Sequence, residues 1–311
     1  MKEFSKTLAK CCLALFILLN IIVILHAYKL THFYERDELT DKNSTARNGW
    51  DITKDILLGP RFIKQQNSVR DSGYMVTYLQ TSDGLKLEAW EFKQPMARGT
   101  VALFHGHGSK KSGLLAEAKG FTMLGYNTLL LDFRAHGSSD GNTCTIGFYE
   151  AEDVKLAYDH LAARGEKNII LFGASMGAAT ITKAIDQYAL KPAKIILDMP
   201  FASLSDAVTG RLKIMHLPPQ PLGTMLTFWG GVTQGFWAFN HNPYEYAQAI
   251  QCPVLLQRGK NDVRVTQAET DKIFDNIRSP KKMVIYNNSG HESLCKKEPE
   301  KWLNEVTSFL Q

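Results

Sequence analysis

The 311-residue sequence has few of the residues that mark several classes of protein. Its five cysteines are too few for a disulfide scaffold, and their number is odd. The 23 glycines and 11 prolines follow no repeating period, which excludes collagen and low-complexity polymers. Basic residues exceed acidic ones only slightly, 36 against 31, without the basic stripe of a nucleic-acid binder. With 44% hydrophobic residues, the composition is that of a folded globular chain rather than a disordered one.

The sequence has one strong asymmetry, an uncharged apolar run near its N-terminus at residues 11–28. As a helix, this run would be ~27 Å long, just enough for a bilayer core of ~30 Å. Three lysines precede the run, as in a signal sequence, but Ala27 offers only a poor cleavage position. We therefore favour an uncleaved signal anchor, a single transmembrane helix, over residues 1–28. A cleaved signal and a buried soluble helix stay open as alternatives.

Under either a signal anchor or a cleaved signal, the rest of the chain would be exported. An anchored protein would carry its folded domain on the non-cytoplasmic side of the membrane, whereas a cleaved one would be secreted or periplasmic. Basic residues number three before the run and four in residues 29–48, so the positive-inside rule gives this orientation little support.

The remainder of the chain divides into two parts. Residues 29–72 are polar and mixed in charge, and we interpret them as a spacer and lead-in. From residue 73, short apolar runs alternate with helical stretches, which predicts one α/β domain over residues 73–311 with a doubly wound, mostly parallel sheet. The first two runs flank Asp83-Gly84, a strong hairpin signal. The predicted strands are Tyr74–Leu79, Leu85–Phe92, Thr100–Phe104, Asn127–Asp132, Asn168–Phe172, Lys194–Asp198, Val254–Gln257 and Met283–Tyr286, and the predicted helices are 111–124, 147–164, 176–189, 266–277 and 299–310.

Residues 173–177, Gly-Ala-Ser-Met-Gly, are the motif that carries chemistry. The Gly-x-Ser-x-Gly pattern is weak alone, but here it follows an apolar strand and opens a helix of small residues, the context of a nucleophile elbow. Such a turn strains the serine backbone, and Gly173 and Gly177 avoid clashes with the neighbouring helix and strand. It would lift the Ser175 hydroxyl above the carboxyl edge of the sheet. The alternative is a glycine-rich turn with an incidental serine.

A serine hydroxyl becomes a good nucleophile only when a base takes its proton. His291 follows the last predicted strand and precedes the last helix, so it would lie over the same sheet edge. A third group must orient the imidazole and stabilise its cation. Asp262, just after the strand VLLQ, is favoured for this role. Asp198 stays a rival acid because it ends the preceding strand at that edge.

With these residues in place, the sequence resembles serine hydrolases of the α/β-hydrolase superfamily, in the branch of esterases, acylglycerol lipases and serine aminopeptidases. The order Ser175, Asp262, His291 is that of α/β-hydrolase triads. The resemblance covers about residues 73–311 and is specific for the superfamily, but it says little about the substrate. It rests on the stretches LFHGHGS, DFRAHGSSDG, GASMG, CPVLLQRGKNDVRV and NSGHESL.

The resemblance also implies that residues 105–108, His-Gly-His-Gly, form an oxyanion loop. The backbone N–H groups of His107 and Met176 would then be the two donors to the substrate oxygen. A His-x-His pair also suggests a metal site, but the further ligands that usually follow are replaced by Gly-Ser-Lys-Lys. We therefore predict neither a metal nor a cofactor, and we interpret His105 as a structural histidine.

An apolar, aromatic insertion at about residues 199–250 interrupts the alternation of strands and helices. In this superfamily such an insertion forms a cap over the nucleophile, so we expect a helical cap that excludes water and binds an acyl chain or apolar leaving group. Alternatively, its aromatic side chains only pack the cap onto the core. The candidate substrate-binding residues are Met215, Phe228, Trp229, Phe236 and Trp237.

The leading functional hypothesis is a carboxylic-ester hydrolase that acts on a small-molecule or lipid-derived, acylglycerol-type ester. Ser175 would attack, His291 would act as base and then as acid, and Asp262 would orient His291. The second hypothesis is a peptidase or amidase with the same triad. The third is a non-catalytic, membrane-tethered binding protein of the same fold, against which the complete triad argues. The membrane helix supplies a membrane partner, and no nucleic-acid partner is expected.

Overall fold

The computed structural model describes residues 2–35, 49–67 and 73–311, and within them a mixed sheet of eight strands forms the centre of the molecule. Across this sheet the strands lie in the order β10-β9-β8-β7-β5-β6-β4-β3. The strands are β1 (Phe33–Tyr34), β2 (Phe62–Ile63), β3 (Met75–Gln80), β4 (Lys86–Phe92), β5 (Thr100–Phe104), β6 (Asn127–Leu131), β7 (Ile169–Ala174), β8 (Lys194–Asp198), β9 (Val254–Gly259) and β10 (Lys281–Tyr286).

Strand direction in the sheet follows the predicted pattern. β3 pairs with β4 as the antiparallel hairpin, and β4 pairs with β6 in the antiparallel sense. The remaining neighbours, from β6 through β10, pair in parallel. The doubly wound, mostly parallel sheet is therefore confirmed. Because parallel strands run in one direction, β5, β7, β8, β9 and β10 all end at the same edge of the sheet, where their following loops meet.

Helices cover both faces of the sheet and bury two apolar layers. β5 is fully buried along its whole length, as a central parallel strand should be. On one face, Trp302 is completely buried and leaves no space for a side chain at Gly120, where a Cβ would lie 2.6 Å from the indole ring. The helices are α1 (Lys2–Thr31), α2 (Gly49–Leu58), α3 (Leu115–Met123), α4 (Ala151–Ala163), α5 (Met176–Tyr188), α6 (Leu204–Ile214), α7 (Leu222–Gln234), α8 (Pro243–Tyr246), α9 (Gln267–Asn276), α10 (Leu294–Lys297) and α11 (Pro299–Leu310).

Between β8 and β9, the chain forms the two longer helices α6 and α7 over the sheet edge. The region predicted as the cap insertion is therefore helical. α6 begins at Leu204, and the side chain of the preceding Ser203 accepts a hydrogen bond from the Asp206 N–H at 3.0 Å and so caps the first turn.

The segment predicted as a spacer, residues 29–72, is partly built into the domain. β1 and β2 form a small parallel pair, and the Phe33 N–H donates to the Asn142 carbonyl at 2.8 Å. The Lys64 ammonium is buried and donates to the Ser139 carbonyl at 2.6 Å. Residues 36–48 and 68–72 of the predicted spacer lie outside the described residues.

The N-terminal helix α1 has two distinct halves. It is long and apolar enough to cross a membrane or to act as a signal sequence. The side chains of residues 3–19 are exposed, whereas from Asn20 onward the helix packs against α7 of the cap region. In this second half, Val23 and Ala27 are buried in an apolar cluster with Leu212 and Leu226. The apolar run predicted as an anchor thus serves as a protein-packing surface over part of its length.

Candidate active site

Ser175 stands on a strained turn between β7 and α5. Its backbone lies at φ 54° and ψ −114°, a region that L-residues rarely adopt. The flanking glycines are needed because a Cβ on Gly173 would lie 2.5 Å from the Ala178 nitrogen. A Cβ on Gly177 would collide with the backbone carbonyl group of Phe104. The local sequence therefore forces the tight turn that presents the Ser175 hydroxyl at the carboxyl edge of the sheet.

The three residues predicted as a triad come together above that edge. His291 Nε2 lies 2.9 Å from Ser175 Oγ, and His291 Nδ1 lies 2.8 Å from Asp262 Oδ2. An ionised carboxylate can only accept hydrogen bonds, so Nδ1–H must donate to Asp262. In the neutral imidazole, Nε2 is then the acceptor that faces the Ser175 hydroxyl, the tautomer that a general base requires.

Asp262 has the environment of an ionised carboxylate. Its other oxygen, Oδ1, accepts the backbone N–H groups of Arg264 at 2.8 Å and Val265 at 2.9 Å. Burial alone would raise the pKa of Asp262, but the hydrogen bond and charge of His291, together with these two N–H groups, hold that pKa below its usual value. The negative charge that would stabilise a His291 cation is thus maintained.

Asp198, the rival acid, has a different environment. It is buried and accepts a hydrogen bond from the Gln257 amide at 2.8 Å, and no hydrogen bond joins it to His291. Burial raises the pKa of Asp198 well above its ordinary value, against the hydrogen bond from Gln257. Its backbone carbonyl accepts the Ser175 N–H at 2.7 Å, so Asp198 supports the elbow through its main chain.

The loop after β5 lies directly against Ser175. A Cβ on Gly106 would be 3.4 Å from the Ser175 Cβ and 3.9 Å from its Oγ, so glycine permits this close approach. The loop is held from outside, because the Gly108 N–H donates to His136 Nε2 at 3.0 Å. Among the described residues, neither the His107 N–H nor the Met176 N–H has a hydrogen-bond acceptor. Both remain available to a substrate oxygen beside Ser175.

The two histidines of this loop have separate surroundings. His105 is buried, donates from Nδ1 to the Gly106 carbonyl at 2.8 Å and accepts the Phe133 N–H at Nε2, 3.2 Å away. Burial lowers the pKa of His107 to about 4, the positive charge of Arg211 adds to that effect, and the backbone of Leu30 opposes it. No group of three or more histidine, cysteine, aspartate or glutamate side chains is placed to hold a metal ion within residues 2–35, 49–67 and 73–311.

A cavity of about 490 Å³ opens over Ser175 and His291. Of the five residues predicted to bind substrate, Met215 lines this cavity and the other four do not. Phe236 instead stacks on Phe148 at 4.1 Å between ring centroids, and Phe228 meets Trp237 edge-on. The side chain of Trp229 contacts α1 instead of the cavity. Phe236 thus packs the cap onto the domain, as in the alternative, whereas Phe228 and Trp237 contact each other within the cap and stay partly exposed.

Several residues that line the cavity were not predicted from the sequence. His26 and Leu30 of α1 form part of the wall, as do Arg211 of α6 and Arg264 of the loop after β9. No motif marks His26, Leu30 or Arg211, and Arg264 lies in the stretch CPVLLQRGKNDVRV without having been singled out. In the sequence, Arg211 has the pattern of a solvated charge in the last turn of a helix, where it stabilises the helix C-terminus. Leu30 has the pattern of a residue at the end of an apolar run.

Residues 95–238 match the family described as serine aminopeptidase, S33. A Bacillus subtilis (strain 168) protein, YqkD, is 29% identical over 215 residues, which are 68% of this chain and 70% of YqkD. The lysophosphatidylserine lipase ABHD12 of Danio rerio is 21% identical over 229 residues, which are 64% of this chain and 57% of that protein.

The comparison with solved structures agrees on the fold. The Pyrococcus furiosus esterase Pf2001 superimposes with a TM-score of 0.65 at 24% sequence identity, and the match covers 79% of this chain and 97% of the esterase. The sheet order, the elbow after β7 and the family match support one assignment. This chain has the α/β-hydrolase fold.

Proposed function

We propose that the protein is a serine hydrolase that cleaves carboxylic esters through an acyl-enzyme intermediate. The single observation that carries this proposal is the continuous hydrogen-bonded arrangement of Ser175, His291 and Asp262 at the floor of the cavity. A serine hydroxyl beside a correctly oriented imidazole is the arrangement that acyl transfer needs.

In the first half of the reaction, Ser175 Oγ attacks the ester carbonyl carbon while its proton passes to His291 Nε2. The carbonyl oxygen becomes an oxyanion that accepts the N–H groups of His107 and Met176, each worth about 3 kcal/mol in the transition state. His291 then returns the proton to the departing alcohol oxygen as the ester bond breaks. The acyl group stays bound to Ser175.

In the second half, a water molecule gives its proton to His291 and attacks the acyl carbon. The bond to Ser175 Oγ breaks, Ser175 recovers its proton from His291, and a carboxylic acid leaves. Asp262 keeps its negative charge throughout and stabilises the transient His291 cation. Apart from the substrate and this water, every group in the cycle belongs to the chain itself, so the scheme assigns no cofactor.

A lipid-derived ester is the substrate class we favour. The cavity wall is rich in apolar side chains, among them Leu30, Met215 and Leu226, which suit an acyl chain. One wall belongs to α1, whose first half exposes apolar side chains over residues 3–19. If that half lies in a bilayer, the cavity opens next to the membrane surface. The relative described as a lysophosphatidylserine lipase supports the same substrate class.

We further propose that α1 is an uncleaved anchor with the catalytic domain on the non-cytoplasmic side. Cleavage after Ala27 would remove His26 from the cavity wall and would expose Leu212 and Leu226 to water. A secreted or periplasmic product of cleavage is the alternative. The intact mass of the protein purified from membranes distinguishes the two, since cleavage would remove about 27 residues.

Amide or peptide cleavage is the second candidate, because residues 95–238 match a family described as serine aminopeptidase. The same triad would serve. The two candidates separate by substrate, since an aminopeptidase requires a free amino group next to the scissile bond.

The test is hydrolysis of p-nitrophenyl esters from acetyl to dodecanoyl by the full chain in detergent micelles, beside its Ser175→Ala variant. We expect turnover that rises with chain length and vanishes in the variant. Aminoacyl p-nitroanilides, assayed in parallel, report the second candidate. Equal ester turnover by both proteins would contradict the proposal.

A further inference from the structure

Two arginine side chains line the cavity that holds the triad. Arg211 lies in α6 above Ser175, and Arg264 follows the acid Asp262 in the loop after β9. Arg211 is near enough to His107 for its charge to lower the pKa of that histidine. One face of the reaction site is therefore positively charged.

Within the described residues neither arginine makes an ion pair; Arg211 is partly buried, whereas Arg264 is exposed at the mouth of the cavity. Arg211 makes no ion pair and donates no hydrogen bond to any residue in the described ranges, and its Nε atom is buried without a partner. Its guanidinium lies over the Phe62 ring, 4.9 Å from the centroid, which leaves its hydrogen-bonding edge free. The side chain is only partly buried, so the unsatisfied group is this one N–H; leaving a buried donor without an acceptor costs free energy, and a bound anion would supply that acceptor.

Arg134 is an example of an arginine in this protein whose guanidinium is paired with acidic side chains. Its guanidinium donates to Asp153 at 2.6 Å and to Glu152 at 2.8 Å. Arg211 has no acid in either role. Burial lowers the pKa of Arg211, and the neighbouring charge of Arg264 lowers it further, but a guanidinium stays protonated at neutral pH.

The acids that also line the cavity have other partners. Glu117 accepts the hydroxyl of Ser293, and Asp198 accepts the Gln257 amide. Burial raises the pKa of both carboxyl groups, and neither forms an ion pair with Arg211 or Arg264. Glu292 is exposed at the rim. The positive charge on the cap side is left for a ligand.

We propose that Arg211, with Arg264 beside it, forms an anion-binding subsite within the cavity of Ser175, and that the preferred ester carries a phosphate or carboxylate group. A guanidinium presents parallel N–H donors that match the oxygens of either anion. This inference rests on the proposed function and adds the substrate's charge to it. It also disfavours an aminopeptidase, because the same cations would repel a substrate ammonium.

The test compares esters that share one acyl chain and differ only in charge. They are 1-dodecanoylglycerol, which is neutral, 1-dodecanoylglycerol 3-phosphate and dodecanoyl glyceric acid, whose anion is a carboxylate. The measured quantity is the ratio of kcat/KM for each anionic ester to that for the neutral one, with the full chain in neutral detergent. We expect a ratio above one for at least one anion, and the larger ratio identifies the group.

In Arg211→Gln, that ratio should fall about 20-fold, because a charge-assisted hydrogen-bonding pair is lost. Arg211→Lys should recover part of the lost ratio, because lysine restores the positive charge but not the paired N–H donors of a guanidinium. Arg278→Gln is the matched control, because Arg278 is exposed and bonds Gln248 away from the cavity, so the ratio should stay at the wild-type value. An unchanged ratio in Arg211→Gln, or a wild-type preference for the neutral ester, would overturn the inference.

A binding measurement separates failure of the subsite from failure of the hydrolase proposal. Calorimetry measures the Kd of Ser175→Ala for three probes: dodecyl phosphate, dodecanoate and neutral dodecyl glucoside. We expect this variant to bind at least one of the two anions more tightly than the glucoside. The double variant Ser175→Ala, Arg211→Gln should lose that difference in Kd. If no ester is hydrolysed but this charge preference is present, the subsite stands and the catalytic proposal fails. If esters are hydrolysed but the double variant binds all three probes with the same affinities as Ser175→Ala, the subsite proposal fails and the hydrolase proposal stands.

Discussion

The indole N–H of Trp229 donates a hydrogen bond to the side-chain oxygen of Asn20 at 2.9 Å, across 209 positions of sequence. Asn20 is the one strongly polar residue in the apolar run of α1, and Trp229 lies on α7 of the cap. A second bond, from Gln234 to Thr31 at 3.0 Å, joins the ends of the same two helices. The N-terminal helix is thus fixed to the cap at two points, which explains how it comes to form a wall of the catalytic cavity.

Leu30→Trp should test that wall. Leu30 lines the cavity, so a larger side chain there should reduce kcat/KM for long-chain esters by about tenfold and affect the acetyl ester much less. Leu19→Trp is the control, because Leu19 lies on the exposed half of the same helix. Chain-length profiles of the two variants give the comparison. Identical profiles would show that α1 does not bound the acyl site.

Asp262→Asn should distinguish the two acids. The amide cannot hold His291 in the required tautomer, so kcat should fall by about 10⁴-fold. Asp198→Asn is the matched change on the neighbouring strand, where the carboxyl group already has a raised pKa and an amide partner. Its turnover should stay close to wild type in steady-state ester hydrolysis. The reverse ranking of the two variants would reassign the acid.

His241 should make stability depend on pH. It is buried, donates from Nε2 to the Ile146 carbonyl at 3.0 Å, and has a pKa that burial lowers to about 3. The unfolded chain binds a proton at this residue near pH 6.5 and the folded chain does not, so stability falls as pH drops from about 6 to about 4.

In His241→Gln, which keeps the donor, that decline should be less steep by about 1.4 kcal/mol per pH unit. Chemical unfolding at a series of pH values measures the slope. A slope that matches the wild type would mean that folded His241 takes up the proton.

Two adjacent glycines in α7 should respond oppositely to alanine. A Cβ on Gly231 would lie 2.5 Å from the Phe236 carbonyl oxygen, so Gly231→Ala should lower stability by about 1–3 kcal/mol. A Cβ on Gly230 meets nothing within 4 Å, and Gly230→Ala should raise stability by about 0.5–1 kcal/mol through helix propensity. Thermal unfolding midpoints check both. Equal shifts would contradict the close packing of α7 on the turn that follows it.

Local sequence patterns were sufficient for the eight strands of the central sheet, the elbow and the residues that meet above it, but not for β1 and β2, which lie in the predicted spacer. β5 and β8 begin and end at the predicted residues, and β7 runs two residues beyond the predicted Phe172. These features depend on apolar periodicity and on steric rules that act within a few residues. The placement of Ser175 follows from Gly173 and Gly177 together with the apolar strand before them and the helix after them.

Features that depend on distant neighbours were not predictable in the same way. Nothing in the run at residues 11–28 indicates that its second half packs on a helix two hundred residues later. Similarly, Phe236 has the aromatic character of a substrate contact, but its stacking on Phe148 depends on how the cap sits on the domain. The exposed and buried arginines also look alike in sequence, since burial is a tertiary property.

The most direct test of the account is to find the acyl group on the enzyme. The full chain should be mixed briefly with p-nitrophenyl dodecanoate, quenched in acid and digested for mass spectrometry, beside Ser175→Ala. We expect the peptide that contains Ser175 to gain the mass of one dodecanoyl group, and we expect no such adduct in the variant. Hydrolysis that persists in Ser175→Ala, with no acyl adduct on the wild-type serine, would contradict the proposed mechanism.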